Sequence, residues 1–132
     1  MIDITTLKQA LATLEEAVRA RANNPADKYV RDACIQRFEY TYELTHKMLR
    51  RYLEETEPAV REMSFPQLIR LGFARGLLRT SWDIWNDFRD ARNKTSHTYD
   101  EAKAESVAAL IPGFASEAAF LRDQIEARQH GA

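Results

Sequence analysis

Three side chains in the string RNKTSHTYDE could together do acid-base chemistry on a phosphodiester: Arg92, His97 and Tyr99. Imidazole changes charge near neutral pH, so it can take a proton from a ribose 2′-hydroxyl or give one to a leaving oxygen. A guanidinium can hold phosphate oxygens while charge develops on them. Such a site calls for no metal and no bound cofactor. Its difficulty is geometric. On an ideal helix, at 100° per residue, Arg92 and Tyr99 lie within about 20° of each other while His97 points about 140° away from Arg92. Asn93, Thr95 and Ser96 favour caps and turns over helix interiors, so the helix is expected to end here and let His97 swing back toward Arg92. The same residues also fit an ordinary helix C-terminus, whose cations complement the macrodipole and whose Tyr99 packs on the next helix.

The other candidates carry less. His46 has no second ligand at i+4 and reads as an interhelical hydrogen-bonder. Cys34 lies on an apolar stripe and reads as core. Trp82 and Trp85 could stack a base, although aromatic residues at helical spacing more often fill a core. Asp83, Asp87 and Asp90 share no face with a His that would complete a metal site. No G-x-S-x-G, P-loop or dinucleotide fingerprint is present.

Charge is uneven along the chain. Residues 61–99 carry 7 basic and 4 acidic side chains, whereas residues 100–132 carry 3 and 6. Arg70, Arg75, Arg79, Arg89, Arg92 and Lys94 are the cations available if that stretch meets phosphate; from charge alone, in a chain that is 30% charged, a solvated surface is the favoured reading of them. The whole chain is nearly balanced, with 19 Lys plus Arg against 20 Asp plus Glu, which argues against coating nucleic acid by bulk charge.

The elements that must position these residues are helical. Nineteen Ala and 12 Leu against 4 Val and 4 Gly favour helix over sheet. Ile4, Leu7, Leu11, Leu14 and Val18 form one stripe that Asn23, Asn24 and Pro25 end. Val30, Cys34, Phe38, Thr41, Thr45, Met48 and Tyr52 continue the period from about Asp27 to Glu55, a rod of roughly 43 Å. Ser64 with Gln67 reads as a capping box opening a short helix that stops at Gly76, and Thr80 with Asp83 as a second one. Trp85, Phe88 and Ala91 then supply an apolar face. Val107, Ile111, Phe114, Ala118, Leu121 and Ile125 stay in phase across Pro112, which predicts one kinked helix or two nearly collinear ones. The expectation is a single all-α domain over residues 1–132, an antiparallel four-helix bundle with an additional short helix, fraying only near His130 to Ala132. One thiol offers no disulfide, the start MIDITTLKQAL lacks a leader pattern, and no apolar run approaches the roughly 20 residues a bilayer requires. These features predict a soluble, cytoplasmic protein with no membrane partner.

The string RDACIQRFEYTYEL at 31–44, followed by WNDFRDARNKTSHTYDE at 85–101, resembles the nucleotidyltransferase substrate-binding proteins of the HEPN superfamily, relatives of the HepT toxins. The likeness covers nearly the whole chain. It implies a homodimer whose R-x-x-x-x-H-x-Y motifs, here Arg92, His97 and Tyr99, meet near the two-fold axis. HepT-like proteins are metal-independent ribonucleases of toxin-antitoxin systems, paired with a small nucleotidyltransferase, the MNT antitoxin. By that resemblance His97 is the acid/base, Arg92 holds the scissile phosphate of an RNA substrate, Asn93 is a supporting polar group, and Tyr99 receives AMP from the antitoxin. The alternative within the same resemblance is a non-catalytic subunit that presents substrate or nucleotide to the transferase.

Overall fold

In the computed structural model, which describes residues 1–130, the long apolar stripes become long helices. These are α1 (Thr5–Asn23), α2 (Lys28–Glu54), α3 (Phe65–Ala74), α4 (Trp82–Asn93) and α5 (Glu101–Gln129), with 3₁₀ turns at Pro58–Glu62 and Thr95–His97. The expected fraying near His130 to Ala132 falls in part on residues 131 and 132, which lie outside the described residues. The elements are all helical among the described residues, as composition predicts.

Local chemistry sets most boundaries. Asp27 accepts from the backbone N–H groups of Tyr29 and Val30 to cap α2, and Asp100 does the same for α5 from Ala102 and Lys103. Ser64 and Gln67 form the expected capping box of α3. Gly76, at φ 74°, makes the left-handed turn that ends the α3 segment. The second expected capping box does not form: Ser81 is the N-cap of α4 and makes no side-chain cap bond. Thr80 instead gives its hydroxyl and its N–H to Glu117 of α5. A buried carboxylate outcompetes a local cap there.

Contacts fix the topology. Lys8 with Glu126 and Arg21 with Glu105 set α1 antiparallel to α5. Arg31 with Glu101, and Phe38 with Phe114, set α2 parallel to α5. Trp85 with Glu117, and Phe88 with Phe114, set α4 antiparallel to α5. The core closes on α5, where Val107, Ile111, Phe114, Ala118, Leu121 and Ile125 are buried as the sequence spacing requires. Helix α5 continues through Pro112 as one element. It contains an apolar window long enough, by length and composition alone, to cross a membrane, contrary to the expectation that no run comes close. The reason is its Ala content: small residues let α1, α2 and α4 pack on several of its sides, and half of that window is buried in the bundle.

Two buried charges tie the site-bearing corner to the frame. Arg31 is buried at the start of α2, where its guanidinium donates to Asp32, Glu101 and Glu105 and so pins the first turn of α5. These carboxylates hold the guanidinium well above its ordinary range. Glu117 is 1% exposed; it accepts from the N–H groups of Arg79 and Thr80 at 2.9 Å each, from Trp85 Nε1 at 3.0 Å and from the Thr80 hydroxyl. It therefore fixes the entry of α4, the helix that ends in Arg92 and Asn93.

Candidate functional site at the α4–α5 corner

Helix α4 ends at Asn93, as the run of cap-forming residues predicts. Lys94 follows as C-cap and a single 3₁₀ turn covers Thr95–His97. The turn is anchored from below. Thr95 is buried and donates its hydroxyl to the Arg92 carbonyl at 2.8 Å, and the His97 N–H reaches the Lys94 carbonyl at 2.9 Å. The Asp100 N–H bonds the His97 carbonyl at 3.1 Å, and the Asp100 side chain then caps α5. A chain of backbone and cap bonds thus holds the turn from Arg92 to Glu101, while the side chains of His97 and Tyr99 are left in solvent.

Of the four site residues, the structure brings His97 and Tyr99 together. Their rings meet edge to face with centroids 6.1 Å apart. Tyr99 is 85% exposed, the placement a modifying enzyme needs and the reverse of packing on the next helix. Asn93 is exposed on the last turn of α4. Arg92 does not turn to His97: its Nε donates to Glu43 Oε1 of α2 at 2.8 Å, with 30% of its side chain exposed. Among the described residues only the Nε of this guanidinium is engaged, by Glu43, which leaves its other N–H groups to offer a phosphate. The expected turn forms, but within one chain it does not close His97 onto Arg92.

Sequence reasoning missed Glu43, which stands 49 positions earlier, in the middle of α2. Its only signal is its place in the RFEYTYEL string. Sequence reasoning also misjudged His46. Among the described residues it makes no bond to another helix; its ring lies edge-on to Phe65, with centroids 4.5 Å apart, beside Arg50 of its own helix. Burial, then the positive charges of Arg50 and Arg89, hold His46 below the ordinary imidazole value against the opposing pull of Glu43. Trp85 is fully buried and belongs to the core, whereas Trp82 is half-buried at the start of α4. Cys34 is buried, as expected of a core thiol. Among the described residues no three His, Cys, Asp or Glu side chains gather as a metal site requires. A surface groove of about 510 Å³ is lined by α1 and α5 residues with Arg79 and includes none of the four.

Comparison with known proteins extends this geometry. Residues 2–127 match the family described as nucleotidyltransferase substrate binding protein like. The probable ribonuclease HepT of Haemophilus influenzae is 38% identical over 97 residues, 71% of this chain and 66% of that protein's length. A Haemophilus influenzae structure, described as the fold of a substrate binding domain of a nucleotidyltransferase, superposes with a TM-score of 0.86 at 30% identity, covering 94% of this chain and 99% of the other. A Thermus thermophilus structure superposes at 0.72 with 32% identity, over 89% and 97% of the two chains.

Proposed function

Since this chain belongs to the nucleotidyltransferase substrate binding protein-like family, we propose that it pairs with a small nucleotidyltransferase and acts as a HepT-like ribonuclease toxin that AMP attachment at Tyr99 silences. The single observation that carries the reading is the placement of His97 and Tyr99 side by side in solvent, on a turn held by its own backbone bonds.

In the proposed cleavage, His97 accepts the proton of a ribose 2′-hydroxyl. The 2′-oxygen bonds to phosphorus, the bond from phosphorus to the 5′-oxygen breaks, and a proton passes to that oxygen. The products are a 2′,3′-cyclic phosphate and a 5′-hydroxyl, and no metal takes part. Arg92 leaves or shares Glu43 to hold the equatorial oxygens, with Asn93 as a neighbouring polar group. A homodimer supplies a second copy of the same set, so that one subunit's Arg92 can meet the other's His97. In the proposed silencing, the Tyr99 hydroxyl oxygen attacks the α-phosphorus of ATP held by the transferase; pyrophosphate leaves and the phenolic proton goes to solvent. The added adenylate puts bulk and negative charge where an RNA phosphate must approach.

Induction of the chain alone is expected to arrest growth, and His97→Ala or Arg92→Ala to relieve the arrest. RNA cleavage should survive excess chelator. The cognate transferase with ATP should add the mass of AMP to wild type and not to Tyr99→Phe. Equal harmlessness of wild type and both variants would leave the chain as a non-catalytic substrate-binding subunit, and mass added to Tyr99→Phe would remove Tyr99 from its role.

A further inference from the structure

Cations and aromatic rings alternate along the face that α4 shares with α3 and α2. The Arg89 guanidinium lies 5.5 Å from the centre of the Phe65 ring and that of Arg70 5.9 Å from Trp82. Phe65 and Trp82 meet edge to face at 5.8 Å. Unlike the fully buried Trp85, both rings are only partly covered. Among the described residues neither Arg70 nor Arg89 has a carboxylate within ion-pair distance, whereas Arg75 and Arg92 are paired.

The arrangement of α4 sharpens this. At 100° per residue, Trp82, Arg89 and Arg92 fall within an arc of about 80°, while Asp83, Asp87 and Asp90 fall on an arc at least about 80° from it. The aspartates thus lie to one side of the cations, with Asp83 bordering the groove that Arg70 and Trp82 line and the buried Trp85 set between Arg89 and Arg92 on the inner side of the arc. Trp82 and Arg92 stand at opposite ends of α4, about 15 Å apart along its axis, which is the length of about four stacked bases at 3.4 Å each.

We infer that this face is a stacking platform for the bases of a single RNA strand, running from Arg92 through Arg89 and Phe65 to Trp82 and Arg70. A guanidinium lying over a ring offers a base a flat surface and offers a phosphate a charge, and neither demands a particular base. The inference rests on the ribonuclease reading and names where its substrate lies before cleavage.

The test uses the full-length protein and a short, single-stranded 2′-O-methyl RNA oligonucleotide, which lacks the 2′-hydroxyl needed for cleavage. Trp82 is the more exposed of the two tryptophans, so titration should quench emission, and Trp82→Phe should abolish the quench. Trp82→Ala should weaken binding about tenfold or more. Arg70→Gln and Arg89→Gln, both at exposed positions, should each reduce the slope of log affinity on log salt by about 0.7. Binding that is absent, or unchanged in all these variants, overturns the platform. So does sedimentation showing that Trp82→Glu turns a dimer into a monomer, since the face then belongs to a second copy. His97→Ala should bind like wild type while losing cleavage: a wild-type protein that binds and quenches yet cuts no RNA sinks the ribonuclease reading alone, whereas cleavage indifferent to Trp82 and Arg89 sinks the platform alone.

Discussion

Replacing Glu117 with Gln should destabilise the fold by an amount that its hydrogen bonds set. One carboxylate oxygen accepts from the Arg79 N–H, and the other accepts from the Thr80 N–H, the Thr80 hydroxyl and Trp85 Nε1. An amide keeps one acceptor oxygen. Its best placement serves the three donors and turns its NH₂ toward the Arg79 N–H, so one donor is orphaned and the remaining bonds lose their charge assistance. A buried donor left unmade costs about 1–3 kcal/mol and each bond to a charged group is about twice as strong as a neutral one, which together suggest a loss of about 3 kcal/mol. Unfolding entropy near 2.1 cal/mol/K per residue amounts to about 0.28 kcal/mol/K for a chain of this size, so Tm should fall by about 11 °C. Far-UV circular dichroism during heating measures it. Glu117→Leu orphans all four donors and should fall further, and Thr80→Val should cost markedly less in the Glu117→Leu background than in wild type. A Gln variant melting within about 2 °C of wild type would refute the idea that this carboxylate latches α4 to α5.

Three further outcomes follow from the packing. His46 is held below the ordinary imidazole value of 6.5 by burial first and by Arg50 and Arg89 after it, with Glu43 opposing. The unfolded chain therefore binds its proton more readily, and stability present above that value is lost as pH falls through the folded one; Tm should drop between about pH 7.5 and about pH 5 and drop less in His46→Gln. Cys34 is buried, and burial pushes its thiol up, so a disulfide reagent should label it only as fast as the protein opens, and prompt labelling of the folded chain would contradict its core position. In Gly72→Ala the new methyl would lie 3.0 Å from Leu78 Cδ1 and 3.2 Å from Leu49 Cδ1. The gain in helix propensity of about 1 kcal/mol is set against overpacking of about 1–3 kcal/mol, so the midpoint in urea should fall, and a rise would mean that both leucines give way freely.

The amino-acid sequence by itself determined the helices and most of their ends, because those depend on neighbours within four residues: apolar spacing, the Asp27 and Ser64 caps, and the left-handed Gly76. It also determined that the helix ends between Arg92 and His97, since Asn93, Thr95 and Ser96 favour bonds to nearby backbone. Tertiary structure decided what those residues face. Glu43 claims Arg92 across two helices, Glu117 draws Thr80 away from its expected cap, and Phe65 rather than another helix's polar group meets His46. Each of these partners lies 19 or more positions away in the chain, where the periodicity of a single helix carries no information. Ionic and aromatic partners are chosen by which faces the packed bundle brings within a few ångströms, and packing is a property of all five helices at once.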